Sequence, residues 1–331
     1  MPPLYGSGLI CGFRLAGPQP TADELPDTLP VDEPLWLHVN LTDSRARSWL
    51  TQRQDLPEEA RELLLGAETR VHVELLPHGF MAVLGDLYHD FDLDPERLGT
   101  LRLYIDEQRL ISGRTHPLRG VDMLRRELLR QDEPLSPVLV FQLLIERLAG
   151  AVAKVASELG DRVDEAEDRI LAGKFAGQSQ PLGNLRRLVA KLRRLVGANR
   201  SALGTLPLSM RGLYDAEAGA ALRSAMERLD AVSQDLELVQ ERARLLQEEI
   251  AGNMNEATNR NLFVLSIATT TLLPITLITG IFGMNVAGLP FANHPYGFRL
   301  VMVGIGATVL LALWLLRRIG ALSTSSSTPR R

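Results

Sequence analysis

The sequence predicts an α/β domain, a helical region that continues into a long stalk helix, and a C-terminal two-helix transmembrane hairpin. Three observations lead there. First, charge is segregated. Of 36 Lys and Arg and 40 Asp and Glu in 331 residues, every acid lies at or before Glu256, while residues 257–331 carry six arginines and no acid. Second, Leu262–Phe282 and Leu300–Leu316 are uncharged runs of 21 and 17 residues, close to the roughly 20 helical residues that cross a hydrocarbon core. Third, the apolar pattern changes along the chain, from short runs between turns before residue 117 to a three- and four-residue spacing after it. The divisions expected are 1–135 (α/β), 136–261 (helical region and stalk), 262–316 (hairpin, with its connecting loop at 286–299) and 317–331 (tail).

Composition bounds the class. With 45% apolar residues and 23% charged ones, the chain is neither a disordered nor a fibrous protein. A lone cysteine, Cys11, forms no internal bridge and favours a reducing compartment. A net charge of −4 argues against a general nucleic-acid binder, which needs clustered base. The N-terminus lacks a basic-then-apolar stretch, so no signal peptide is expected.

In the first part, Leu9–Leu15, Leu35–Leu41, Arg70–Leu76, Phe80–Leu87, Leu101–Ile105 and Arg109–Gly113 read as strands. Pro77-His78-Gly79 would turn Arg70–Leu76 into Phe80–Leu87 as a hairpin. Arg45–Gln52 and Pro57–Leu65 read as helices, the second with proline at its start. Helical spacing then covers about 118–131, 136–172, 182–203 and 214–261. Gly173, Gly177, Pro181 and Gly183 form one break, and Gly204, Pro207 and Gly212 the next.

Two charge runs stand out. Helix 182–203 carries Arg186, Arg187, Lys191, Arg193, Arg194 and Arg200, and the preceding helix carries Glu158, Asp161, Asp164, Glu165, Glu167 and Asp168. An antiparallel pair would set acids against bases as solvated ion pairs, each contributing under about 1 kcal/mol. A nucleic-acid or lipid face is the alternative. The run Asp86, His89, Asp90, Asp92 and Asp94 reads as an acidic turn, with a divalent-cation site as the alternative.

The last soluble helix meets no proline until Pro274, and the isolated Gly252 is tolerated. Read as one element over 220–282, it would be about 95 Å long. A strict 4,3 spacing along it selects Glu248, Gly252, Asn255, Asn259, Leu262, Ser266, Thr269, Leu273, Thr276, Gly280 and Gly283. An ordinary coiled coil would be apolar there; here most are small or polar, and the neighbouring positions are apolar. Such a stripe suits a water-filled multi-helix pore and equally a close helix contact. Asn255 and Asn259, two amides one turn apart that need water or ions as partners, tilt the reading to the pore. Pro274 removes the backbone bond to the Thr270 carbonyl. Arg260 before the first span, and Arg317, Arg318, Arg330 and Arg331 after the second, place both termini in the cytoplasm.

The first span ends in Gly283-Met284-Asn285, followed by Val286-Ala287-Gly288-Leu289-Pro290 and a second span within 15 residues. Three letters alone are unspecific; in this layout they resemble the signature of the CorA metal-ion transporter superfamily. Trp36-Leu37-His38-Val39-Asn40 and Leu110-Ile111-Ser112-Gly113-Arg114-Thr115-His116-Pro117-Leu118 are similar to cytoplasmic segments of that family. The resemblance covers the whole chain. It implies a CorA-like homopentamer in the inner membrane, with five first spans around one pore and Asn285 ringing the outer entrance. Val286 to Arg299 contains no acid, and the segment resembles the ZntB branch, associated with zinc; a magnesium or cobalt channel of the CorA type is the alternative. Asn285 would act on the ion through its hydration waters, with Glu248 and His294 as further candidate ligands. The partners expected are further copies of the chain, the lipid bilayer and divalent cations, with no nucleic acid. No cofactor is expected beyond the transported cation. No phosphate-cradling glycine loop, nucleophile elbow or His-Glu-x-x-His helix supports an enzyme.

Overall fold

The computed structural model describes residues 8–17, 25–27, 29, 33–92, 97–130, 133–175, 177–206, 216–284, 289–290 and 295–318. It divides into two compact units, Met1–Gln247 and Glu248–Arg331.

In the first unit the β-rich runs build β1 (Leu9–Arg14), β2 (Leu35–Asn40), β3 (His72–Leu76), β4 (Gly79–Leu87), β5 (Leu98–Asp106) and β6 (Arg109–Arg114). They form one six-stranded sheet in the order β1-β2-β6-β5-β4-β3. Only β2 and β6 run parallel; the other neighbours are antiparallel. The expected hairpin is present, with Leu76 opposite Gly79 across Pro77-His78. β5 begins three residues earlier than its apolar run, because the ladder to β4 continues to Leu87 opposite Leu98.

β4 is buried at all nine positions, as expected for a strand covered on both faces. On one face α1 (Ser44–Gln52) and α2 (Glu58–Leu65) bury Ala46, Trp49, Leu50, Ala60 and Leu64 against Leu35, Leu37, Val39, Tyr104 and Ile111. Asp43 caps α1, its carboxylate accepting from the Arg45 amide at 2.8 Å. On the other face lie α3 (Arg119–Leu128), α4 (Pro137–Leu171) and α5 (Ser179–Leu203). Phe80 and Phe141 meet there edge to face, 5.0 Å between centroids. Ser136 caps α4, with Pro137 at the first position. Gly173, at φ +75°, ends it in the left-handed conformation that glycine adopts freely.

The two charge runs find different partners. Asp164 and Glu167 of α4, and Arg193 and Arg200 of α5, turn to α6 (Ala216–Phe282) and not to each other. Arg242 of α6 binds Asp164 and Glu167 of α4, while Glu237 and Asp230 of α6 bind Arg193 and Arg200 of α5. The cause is that three helices pack together where two were expected. In the acidic run that begins at the end of β4, Asp86 and Asp90 have separate partners. Asp86 is buried and accepts backbone N–H bonds from Leu87 (2.7 Å), Gly120 (2.9 Å) and Val121 (3.4 Å), so it caps α3 in place of Leu118. His89 lies 3.6 Å from Asp122, and Asp90 pairs with Arg97. Asp94 lies outside the described residues. Among the described residues no group of three His, Cys, Asp or Glu converges to hold a metal.

In the second unit α6 runs without a break through Pro274 to Phe282, and α7 (Gly297–Arg318) follows. Both carry apolar stretches long enough to cross a membrane. α7 has 22 residues, about 33 Å of helix. Arg299 lies over Tyr296 near its start and Arg318 over Trp314 near its end. Tyr and Trp are enriched at the two faces of a bilayer.

Candidate functional site

The candidate site is the polar stripe of α6. Asn255, Asn259, Leu262, Ser266, Thr269, Leu273, Thr276 and Gly280 are all exposed in the chain. The α6 side chains that lose exposure in this stretch are others, including Phe263, Ile267, Thr271, Pro274, Ile275 and Ile278. At 3.6 residues per turn, that set is centred about 150° around the helix from the stripe. On α7 the less exposed residues are Val301, Ile305, Thr308, Val309 and Ala312, again on one face. Each apolar helix therefore turns one side inward, and on α6 the stripe lies on the opposite side.

The hydroxyls of this helix have a defined chemistry. Thr269 Oγ1 donates to the Leu265 carbonyl at 2.8 Å, and Thr276 Oγ1 to the Leu272 carbonyl at 2.9 Å. A threonine whose single proton is committed to its own helix presents only lone pairs outward. The stripe thus offers acceptor oxygens, suited to a cation or to the protons of its water shell. Leu262 and Leu273 interrupt it with apolar side chains that are 57% and 61% exposed.

Toward the end of α6, Leu273, Thr276 and Gly280 share an open groove of about 490 Å³ with Leu277, Ile281 and Met284. Gly283 donates its amide to the Thr279 carbonyl at 2.9 Å and Met284 to that of Ile281 at 3.3 Å, which closes the helix end. Two residues of the motif, Gly283 and Met284, are therefore seated at the C-terminus of α6. Asn285 and His294 lie outside the described residues. Glu248 is exposed, and no second and third described ligand gathers around it.

The two segments of the first unit that resemble the superfamily prove to be neighbours, since they form the parallel pair β2–β6. Trp36 faces Leu110, His38 faces Ser112 and Asn40 faces Arg114. Ser112 Oγ accepts from Trp36 Nε1 at 2.8 Å and lies 2.9 Å from His38 Nδ1. Burial, with Arg114 and Arg125 nearby, holds His38 well below its ordinary pKa, so the imidazole is neutral and its role is in the core. Sequence reasoning missed Asn199, whose amide is buried and bonds both backbone groups of Gly85. Its only signal was a polar residue on the apolar side of a helix.

A family model described as "CorA-like Mg2+ transporter protein" matches residues 32–318. The chain belongs to this CorA-like family. Members are ion transporters rather than enzymes. Among relatives, the "Divalent cation transporter CmaX" of Pseudomonas aeruginosa is 33% identical over 298 residues, 88% of this chain and 89% of that protein. The "Zinc transport protein ZntB" of Yersinia enterocolitica is 26% identical over 315 residues, 95% of this chain and 96% of that one. The structure of full-length CmaX superposes with a TM-score of 0.79 at 30% identity, covering 94% of this chain and 97% of that one. In this CorA-like chain, the α/β unit, the long helix and the short apolar helix after it correspond to the architecture of its relatives.

Proposed function

We propose that this chain carries divalent cations across a membrane, zinc foremost, through a central pore built from the α6 helices of five copies. The observation that carries this reading is the exposed stripe on the side of α6 turned away from the less exposed face. Five such faces around an axis alternate rings of amide or hydroxyl oxygen with rings of leucine. The back-bonded threonines present acceptors to the water shell of an ion. The Leu262 and Leu273 rings close the path by dewetting, with no charge required.

Asn285 of each copy rings the outer mouth and contacts the ion through hydration waters, because small divalent ions lose water reluctantly. Glu248 stands on the axis at the inner end. It belongs to a stretch, 213–256, with ten acids and four arginines, which raises the local cation concentration. Zinc is favoured by the absence of any acid from Val286 to Arg299 and by relatives named as zinc transport proteins; His294 is the candidate zinc ligand at the mouth. Magnesium is the second reading, supported by the description of the family model. The arginines flanking the spans support an inner-membrane protein with both termini in the cytoplasm.

The test is flux into liposomes, zinc against magnesium, with and without a pH gradient. Zinc flux exceeds magnesium flux in the wild type and is lost in Asn285→Ala, which still weighs as five chains by native mass measurement. Magnesium flux exceeding zinc would carry the second reading. Undiminished zinc flux in Asn285→Ala would remove the motif from selectivity. A monomer or dimer in detergent would remove the pore.

A further inference from the structure

One side of α7 is apolar for most of its length and ends in a pair of hydrogen-bond donors. Val303, Leu310 and Trp314 are 69%, 69% and 54% exposed. At 3.6 residues per turn they centre about 180° around the helix from the less exposed Val301, Ile305, Thr308, Val309 and Ala312. One turn beyond Trp314, the Arg318 guanidinium lies over the indole, 5.3 Å from the ring centroid. Indole and guanidinium are donors only. Among the described residues neither side chain has a hydrogen bond or an ion pair. The acids of the second unit, Glu248, Glu249 and Glu256, all precede Arg260 on α6, and no acid side chain follows them. The other end of α7 differs. There Arg299 lies over Tyr296 at 5.7 Å, and a phenol oxygen can itself accept. Arg318 also has a basic neighbour in sequence, Arg317, which Arg299 lacks.

We propose that Trp314 and Arg318 hold the headgroup of an anionic phospholipid, its phosphate oxygens on the guanidinium and the indole N–H and an acyl chain along Leu310 and Val303. The inference rests on the reading of α7 as a membrane span, and not on the cation carried. An indole at the end of an apolar face sits at headgroup level, and a guanidinium fork matches phosphate oxygens in pairs. A zwitterionic lipid offers the same phosphate but brings its own cation, which competes with Arg318. An anionic headgroup brings none, so the pair discriminates between lipids by their net charge.

The test is Trp314 fluorescence in the full chain, reconstituted in mixed bilayers of phosphatidylcholine and phosphatidylglycerol. One lipid at a time carries bromine on its acyl chains as a quencher. Trp314→Phe supplies the background from Trp36 and Trp49, which are buried in the first unit. Phosphatidylglycerol binds beside Trp314 about fivefold more strongly than phosphatidylcholine, the ratio that one basic residue near an anionic surface supports. High salt lowers the ratio, Arg318→Gln brings it to about one, and Arg299→Gln leaves it unchanged. Equal quenching by the two lipids in the wild type, or the full preference in Arg318→Gln, overturns the proposal while keeping α7 in the bilayer. Quenching by neither lipid overturns it as well. In that case quenching by aqueous iodide removes the membrane span itself, whereas protection from iodide assigns this face of α7 to contact with another copy of the chain.

Discussion

Replacing Asn199 by alanine should loosen the far end of β4 and the docking of α5 together. β3 pairs with β4 only as far as His72 opposite Val83, so β4 outruns its neighbour. Gly85 then has an amide and a carbonyl on the side where no strand lies. The Asn199 side chain takes the place of a strand. Its Oδ1 accepts from the Gly85 amide at 2.8 Å, and its Nδ2 donates to the Gly85 carbonyl at 2.9 Å. The approach is close enough that a Cβ on Gly85 would fall 2.1 Å from Leu195 Cδ1. Asn199 is 3% exposed, so truncation strands two backbone groups away from water. At about 1–3 kcal/mol for each buried unsatisfied group, the local cost is about 2–6 kcal/mol. That corresponds to about a thirtyfold or larger rise in the opening equilibrium. Amide hydrogen exchange of the peptide containing Gly85, in the full-length protein, reads this directly. Asn199→Asp keeps the acceptor, loses the donor and buries a charge against a carbonyl, so it should protect no better than alanine. Wild-type protection at Gly85 in Asn199→Ala would refute the reasoning.

Gly79→Ala should abolish folded expression, because its Cβ would fall 2.0 Å from the Ile105 carbonyl oxygen, held by the β4–β5 ladder. Gly150→Ala, inside α4 with nothing within 4 Å of the added carbon, should raise thermal stability by up to about 1 kcal/mol. Burial pushes Asp86 up from 3.8 to about 7 against the pull of its backbone bonds. The folded state therefore holds this proton more tightly than the unfolded state. Its contribution to stability is full below about pH 4, falls as pH rises toward 7 and is flat above; Asp86→Asn should flatten that window in thermal melts. In a Cys11→Ser background, single cysteines at 262, 266 and 273 should let a small thiol reagent block flux, while one at the exposed Leu310 should not. Uninterrupted transport from all three would make the stripe a packing surface.

The sheet was legible because its strands obey local rules. β-branched and leucine-rich runs end at turn residues, and Pro77-His78 fixes the hairpin register on its own. Sheet order was not legible. The parallel pairing of β2 with β6 brings together residues more than 70 positions apart, and no local pattern encodes it. The pairing of acids with bases was misread for a related reason. Charge complementarity between adjacent helices identifies partners only when two helices are present; here α6 lies near both and takes Asp164 and Glu167 from one and Arg193 and Arg200 from the other. Asp86 looked like a surface acid because its partners, the free amides at the start of α3, are invisible in sequence. The α6 stripe was legible in full from Asn255 to Gly280, since helical periodicity alone decides which residues share a face.

The exposure of that stripe is the point at which the single chain becomes insufficient as an explanation. α6 presents Leu265, Leu272 and Leu277 to the outside, each about as exposed as Leu262 and Leu273 within the stripe. Hydrocarbon satisfies the leucines. It does not satisfy Asn259, Ser266 or the outward lone pairs of Thr269 and Thr276, whose unmet hydrogen bonds each cost about 1–3 kcal/mol when buried. A lone hairpin in lipid would therefore carry several unsatisfied polar groups on one face. A closed ring of copies removes that cost by enclosing water against the stripe and leaving the leucine-rich surface to lipid. Under the proposed function the same ring would give the cation a path, so the grouping that satisfies the polar side chains would also be the one that conducts.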